Sequence, residues 1–223
     1  MKRSGFLYLC LVTLFACQED DTSTDLVDFG YNYAPLTAGQ SSVFQVDSIL
    51  YDDFNNSIDT VSFQRKEEIV SDFTNDAGEK AFRIELSRRL NDTLPWRLIR
   101  VFSSSKGKVR FEKTDNNESI VLLVFPPSVY KEWDGNLLNT NTEKEFSYTT
   151  VGQAETINTI SYSEVLTVLQ EDEFNRIQQF FTEEKYARNI GLIYRNDKQL
   201  ETELNGNIRS GYEATVSLIA FKP

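Results

Sequence analysis

The sequence of 223 residues contains no histidine, and this absence narrows the chemistry open to the protein. Without imidazole there is no Ser-His-Asp or Cys-His nucleophilic catalysis, no histidine zinc site and no histidine pH switch. Cysteine is nearly as scarce, since Cys10 and Cys17 are the two cysteines of the sequence. The sequence after Cys17 therefore has no thiol nucleophile, no disulfide and no thiolate metal site.

Basic residues are also fewer than acidic residues. The sequence has 23 Lys and Arg against 34 Asp and Glu, a net charge of −11, and no basic stripe interleaved with aromatics. This balance argues against a nucleic-acid partner. The sequence also lacks a glycine-rich phosphate loop and a nucleophile elbow. We therefore expect no cofactor, no metal and no catalytic residues, hence a protein that is not an enzyme.

The N-terminus has the three parts of a bacterial secretion signal. Lys2 and Arg3 form a basic region, and an uncharged apolar stretch follows over residues 5–15. That stretch fits a signal peptide and is shorter than the roughly 20 residues of a membrane-spanning helix. It ends in Leu14-Phe15-Ala16-Cys17, which resembles a lipobox. The resemblance implies cleavage after residue 16 and lipidation of Cys17, which would anchor the protein to the outer membrane by acyl chains such as palmitate.

An acidic, polar segment follows the predicted lipidation site. Residues 17–30 include the run Gln18-Glu19-Asp20-Asp21 and a Thr/Ser tract, a composition that predicts a flexible tether. The acidic run resembles the export signal of surface-exposed lipoproteins of the Bacteroidota. It favours a position on the cell surface, with a periplasm-facing protein as the alternative.

Period-2 alternation of apolar and polar residues dominates the remaining sequence, residues 31–223. Such alternation predicts half-buried antiparallel strands, and short turn signals separate the strands. We therefore predict one mostly-β domain with few or no helices: a curved antiparallel sheet, barrel or sandwich. The apolar positions that we expect to face the core are Phe82, Ile84 and Leu86, then Val109 and Phe111, then Tyr212, Ala214, Val216, Leu218 and Ala220.

Three other segments need their own interpretation. The apolar run 120–125 predicts a strand covered on both faces, and 130–141 predicts a long loop. Residues 171–188 fit a helix or a strand, and we prefer a strand from about Ile177 that leads into a turn at 189–191.

Two motifs resemble an uncharacterised family of Bacteroidota lipoproteins. Residues 33–39 (YAPLTAG) followed by 43–49 (VFQVDSI) are similar to the opening of those proteins, and residues 186–194 (YARNIGLIY) are similar to a strand–turn–strand near their end. Trp133-Asp134-Gly135-Asn136 adds to the match. Asn189 stands where a glycine is usual, and asparagine tolerates positive φ next best. The resemblance implies a lipoprotein with a β-rich domain and supplies no catalytic residues.

Side chains that could support chemistry are carboxylates and aromatics. Neighbouring acids such as Glu67-Glu68 and Glu183-Glu184 point to opposite faces of a strand, so we interpret them as solvated charge. Four aromatic residues could stack on sugar rings, although packing in the core is the alternative for each. These candidate ligand-binding residues are Tyr31, Tyr33, Trp96 and Trp133.

These observations favour a non-enzymatic binding or accessory module of the outer membrane, with a glycan or an envelope protein as partner. One alternative is a periplasmic carrier of a lipid or lipoprotein acyl chain, which requires an apolar concavity lined by residues such as Phe82, Ile84 and Phe111. Another is a carbohydrate-active enzyme, which requires two carboxylates facing each other across a groove.

Overall fold

The computed structural model describes residues 28–223; the predicted signal peptide, Cys17 and the acidic run Gln18–Asp21 lie outside the described residues. Twelve strands and one short turn of 3-10 helix, Tyr31–Tyr33, make up the described chain. The strands are β1 (Ser41–Asp52), β2 (Ser57–Thr74), β3 (Lys80–Arg89), β4 (Arg97–Lys106), β5 (Arg110–Asp115), β6 (Glu118–Val124), β7 (Glu132–Asp134), β8 (Glu145–Ile157), β9 (Ile160–Phe174), β10 (Gln178–Ala187), β11 (Gly191–Thr202) and β12 (Ile208–Lys222).

All twelve strands form one antiparallel sheet in the order β6-β5-β4-β3-β2-β1-β12-β11-β10-β9-β8-β7. Strands that are consecutive in sequence pair with each other, except β6 and β7, which are the two edges. The pairing of β1 with β12 joins the two halves. The sheet curls until its two edges meet, where Val121 N of β6 donates to Gly135 O beside β7 at 2.9 Å. The predicted mostly-β class is confirmed, and of the predicted sheet, barrel or sandwich the structure has one nearly closed, barrel-shaped sheet.

Local sequence explains most of these elements. In β3, Phe82 and Ile84 are buried and Arg83 is exposed, as alternation requires. Asparagines occupy several tight turns, including Asn189, whose φ is 63°. Asparagine tolerates the left-handed conformation, so it suits this turn.

Predictions for individual segments are mostly confirmed. Residues 178–187 form strand β10, which confirms the strand preferred over a helix within residues 171–188. The predicted long loop contains the three-residue strand β7. The inward positions predicted for Ala220 and Val109 are wrong. Ala220 is exposed because a bulge at Ile219 pairs it with Val43 on the outer face of β1. Val109 precedes β5 in a turn and is 62% exposed. A glycine at 107 and the short strand β5 place this valine outside the alternating pattern.

The two ends of the barrel differ. Residues 28–40 cross one end, where Tyr31 Oη donates to Lys108 O at 3.0 Å and Asn189 N donates to Asn32 O at 2.7 Å. Lys106 Nζ donates to Ala34 O at 2.8 Å. The β4–β5 and β10–β11 turns are thereby tied to this segment, which we call the N-terminal plug (residues 28–40). The turns β1–β2, β5–β6 and β7–β8 lie at the opposite end.

Candidate functional site

A cavity of about 610 Å³ lies inside the curved sheet. Its wall comes from the inner faces of ten strands and from the N-terminal plug, and it extends to Asn116 in the β5–β6 turn and Asn136 in the β7–β8 loop. Its volume is within the range of small-molecule sites, about 300–1,000 Å³. The cavity is therefore large enough for a ligand of moderate size.

One part of the wall is apolar. Ile69, Ile84 and Phe102 line it and belong to one buried cluster that also contains Phe82. They occupy adjacent strands, since Ile69 pairs with Ile84 and Ile84 pairs with Phe102. Phe111 of β5 also lines the cavity. Of the residues expected in an apolar concavity, Ile84 and Phe111 line the wall, whereas Phe82 is packed in the adjacent core.

The opposite part of the wall carries buried charge. Arg195 Nη1 lies 2.6 Å from Glu184 Oε1, and Arg195 Nη2 lies 2.7 Å from Asp197 Oδ2. Glu184 is 5% exposed, so its interpretation as solvated charge is wrong. Alternation places it on the inner face while Glu183 lies outside. Burial alone would lower the pKa of Arg195, but Glu184 and Asp197 outweigh burial and raise that pKa.

Tyr186 completes this buried group. Its hydroxyl donates to Glu184 Oε2, and its side chain is 3% exposed. Burial first, and then the adjacent Glu184 carboxylate, raise the pKa of Tyr186 well above its ordinary value. The phenol is therefore a neutral hydrogen-bond donor at physiological pH, and the carboxylate is held by both the phenol and the Arg195 guanidinium.

Gln170 is one of the wall residues with a buried polar atom that lacks a partner. It follows the buried Leu166 and Val168 at every second position of β9, which places it on the inner face. It is also the extra residue of a bulge, since Leu169 pairs with Glu183 and Glu171 pairs with Thr182. Gln170 is 5% exposed and lines the cavity, and its Nε2 has no hydrogen-bond partner within residues 28–223. A buried donor without a partner costs about 1–3 kcal/mol, and a bound acceptor would remove that cost.

A second charged stretch of wall lies on β2, β4 and β5. Arg65 Nη2 lies 3.3 Å from Glu67 Oε1, and Arg100 Nη1 lies 2.8 Å from Asp115 Oδ2. Arg65 Nε is buried and has no partner in the described chain. Glu67 lines the cavity while Glu68 pairs with Lys66 at 2.7 Å on the other face, as neighbouring positions of a strand require.

Three of the four predicted aromatic residues, Tyr31, Tyr33 and Trp133, pack in one hydrophobic cluster, and Trp96 is outside it. Tyr33 is 1% exposed and lines the cavity from the plug. Burial raises the pKa of its hydroxyl, against the effect of the nearby Arg188. Tyr31 is in the same segment, where it packs edge-on against Phe125 at 5.0 Å between ring centroids. The plug thus brings these two tyrosines together, and of the two Tyr33 lines the cavity.

Neither tryptophan lines the cavity. Trp133 packs against the hydrophobic cluster that contains Tyr33, and Trp96 is outside that cluster. Trp133 is at the closure of the sheet, where its Nε1 donates to Val121 O at 2.9 Å and its ring lies 4.7 Å from that of Tyr148. Trp96 lies beneath two cations, with Arg89 Cζ 4.3 Å and Lys66 Nζ 5.6 Å from its ring centroid. The structure does not bring the four aromatics into one sugar-stacking surface.

Sequence reasoning missed the polar residues of the wall. Arg65 and Glu67 occupy inward positions of β2, where alternation leads one to expect apolar side chains. That deviation was visible in the sequence, since residues 64–68 (QRKEE) are polar on both faces of a strand. A stretch of strand with polar residues on both faces, between strands that each have an apolar face, therefore indicates a polar site in the interior.

The carboxylates of this wall are paired with arginines. Glu67, Asp115 and Glu184 each form an ion pair with a guanidinium group. Within residues 28–223 there is no group of three or more acidic side chains placed to hold a metal ion. In the same range, no helix has the length and apolar character needed to cross a membrane.

Comparisons with known proteins give structural likenesses only. No family model matches the sequence, and no curated protein matches it. The chain is similar to a crystal structure from Bacteroides fragilis, provisionally described as an exported protein with a YmcC-like fold, at a TM-score of 0.45 and 10% identity over 85% of this chain and 98% of that one. It is also similar to a protein from Parabacteroides distasonis, provisionally described as a lipoprotein, at a TM-score of 0.43 and 11% identity with the same coverage.

Proposed function

We propose that this protein is a lipid-anchored binding protein of the bacterial outer membrane that holds a small ligand inside its curved sheet. The observation that carries the proposal is Gln170, a buried amide with an unpartnered donor that lines a cavity of about 610 Å³. Cavities that are empty by default are apolar, whereas this wall combines an apolar part with oriented polar groups. Such a combination is typical of sites that bind and orient a ligand.

The lipid anchor and its location are supported by the sequence. The basic region, apolar stretch and Ala16-Cys17 junction occur in the order of a lipoprotein signal. Replacing Cys17 with serine is expected to release the protein from membranes or to leave an uncleaved precursor. Membrane fractionation and intact mass test this, and an unchanged distribution with an unchanged mass would refute the anchor.

The side of the membrane is a further part of the proposal. We favour the cell surface because of the acidic run Gln18–Asp21. Protease treatment of intact cells, with an epitope after Pro223 and a lysed control, is expected to remove the epitope. Protection until lysis would place the domain in the periplasm instead.

A steric block of the cavity tests binding directly. Ser42 lines the cavity from β1, while its neighbour Val43 lies on the other face of the same strand. Native mass spectrometry of protein purified without denaturant is expected to show a small-molecule adduct on the wild type and on Val43→Trp, and none on Ser42→Trp. An adduct of equal occupancy on Ser42→Trp, or none on the wild type, contradicts the proposal.

A further inference from the structure

We propose that the ligand carries an anionic head, and that a row of three arginines on the inner face of β2, β3 and β4 binds it. This inference rests on the proposed function, because it names the class of molecule that the cavity takes. The arginines are Arg65, Arg88 and Arg97. The class is an anionic amphiphile: a carboxylate or phosphate head joined to an apolar chain.

The register of the sheet places the three arginines side by side. Arg65 of β2 pairs with Arg88 of β3, and Arg88 pairs with Arg97 of β4. Residues directly opposite each other in antiparallel strands share a face, with Cβ atoms about 5 Å apart. Since Arg65 lines the cavity, Arg88 and Arg97 lie on the inner face as well. Arg88 is half-buried and Arg97 is exposed, so the row runs from the wall toward solvent.

Acids of the described chain compensate this row only in part, at Arg65. Arg65 has one ion pair, with Glu67, and its buried Nε has no partner. Arg88 lies over the ring of Phe63 at 3.8 Å, and neither it nor Arg97 forms an ion pair with any residue of 28–223. Like charges directly opposite each other destabilise a sheet. An anion bound between the guanidinium groups would offset that repulsion.

Arginines on the other face of the same strand behave differently. Arg83 of β3 lies 3.0 Å from Glu85, and Arg89 forms an ion pair with Asp92. The chain as a whole carries a net charge of −11. Acids are therefore abundant, yet within residues 28–223 Arg65 is the one member of the inner row that forms an ion pair. This contrast indicates that the inner arginines bind an anion rather than serve as ordinary surface charge.

An apolar row of the wall lies beyond the arginines on the same three strands. Two residues further along β2 and β3, and three further along β4 because of a bulge, lies a mixed row of Glu67, Leu86 and Arg100. The row after it is apolar and consists of Ile69, Ile84 and Phe102. Four residues of strand span about 13 Å. A ligand with its head at the arginine row can thus place an apolar chain against Ile69, Ile84 and Phe102. Arginine also binds carboxylate and phosphate by two parallel hydrogen bonds, which suits either head.

Titration calorimetry with three ligands of equal chain length tests the inference. The probes are decanoate, decyl phosphate and uncharged decan-1-ol. Wild-type protein is expected to bind at least one anion about tenfold or more tightly than the alcohol. The preferred anion identifies the head as carboxylate or phosphate. Raising the salt concentration is expected to weaken anion binding and to leave alcohol binding unchanged.

Two matched variants locate the effect. Arg88→Gln is expected to lower the affinity for the preferred anion about tenfold without changing that for decan-1-ol. Arg83→Gln, on the outer face of the same strand, is expected to change neither. Thermal melting of both variants controls for folding, and Arg97→Gln, at an exposed position, serves as a second test with the same expected direction.

The outcomes separate this inference from the proposed function. Equal binding of alcohol and anions, or an unchanged anion affinity in both Arg88→Gln and Arg97→Gln, overturns the anionic class while the cavity remains a binding site. Binding of none of the three probes, with an adduct still present on the native protein, likewise overturns the anionic class alone. Absence of both probe binding and native adduct overturns the proposed function as well.

Discussion

One buried hydroxyl contributes to the closure of the sheet, and replacing Tyr148 with phenylalanine tests its contribution. Tyr148 lies on β8 and is fully buried. Its Oη accepts from Val124 N at 2.9 Å and donates to Val124 O at 2.8 Å, so that one side chain satisfies both backbone groups of a residue at the edge of β6. Burial raises the pKa of this hydroxyl, which therefore stays protonated at neutral pH.

The magnitude follows from the two hydrogen bonds that are lost. Each buried backbone group left without a partner costs about 1–3 kcal/mol, so we expect Tyr148→Phe to lower the free energy of unfolding by about 2–4 kcal/mol. In a domain of this size, 1 kcal/mol corresponds to roughly 2–4 °C in Tm. The expected decrease in Tm is therefore roughly 5–15 °C.

Thermal melting and urea titration followed by circular dichroism measure this effect. Tyr130→Phe is the matched control, because its side chain is 84% exposed and its Tm is expected to stay within about 1 °C of the wild type. Hydrogen exchange is expected to accelerate at Val124 in the variant. A Tm of Tyr148→Phe equal to that of the control would refute the argument that this hydroxyl joins β8 to β6.

Three further predictions concern the buried polar group and the backbone. Arg195→Met is expected to destabilise the fold by about 3–5 kcal/mol in urea titration, because it leaves the buried Glu184 carboxylate without its guanidinium partner. Gly211→Ala is expected to lower Tm strongly, because φ is 118° and a Cβ would lie 1.9 Å from Gln199 O. Stability is expected to fall above about pH 10, because Tyr186 has a raised pKa in the folded state: its contribution is complete below the unfolded pKa and is lost as pH rises toward the folded one.

Each of these has a control. Gly107→Ala, where φ is not positive and the nearest atom is 4.0 Å from the added Cβ, is expected to leave Tm nearly unchanged. The double variant Glu184→Met with Arg195→Met is expected to recover part of the stability, since it removes both charges. Tyr186→Phe is expected to flatten the dependence on pH above about 10. A double variant no more stable than Arg195→Met, or an unchanged pH dependence in Tyr186→Phe, would contradict the role given to this group.

Alternation in the sequence predicts the strands well, because each strand faces a core on one side and solvent on the other. Phe82 and Ile84 in β3 follow this pattern, and so does the buried Val216 in β12. The closure of the sheet was beyond such reasoning, because it depends on the contact of Val121 with Gly135 and on Tyr148, which no local pattern encodes.

The polar residues of the interior were not predicted, and the reason is different. Charged side chains on strands are usually solvated. Glu184 is instead buried, and Arg65 lines the cavity. Gln170 is in phase with the buried Leu166 and Val168, and the bulge that follows shifts the alternation by one residue, so that Glu171 pairs with the buried Thr182. The position of a bulge depends on the pairing of β9 with β10, so it is fixed by tertiary structure rather than by the local sequence.

The most direct test of a ligand-binding interior is a crystal structure of the protein purified from its native membranes without denaturant. We expect electron density for a bound ligand inside the sheet, with an acceptor atom of that ligand within hydrogen-bond distance of Gln170 Nε2. A cavity filled by the protein's own side chains, with the Gln170 amide paired to them and no other density, would contradict it.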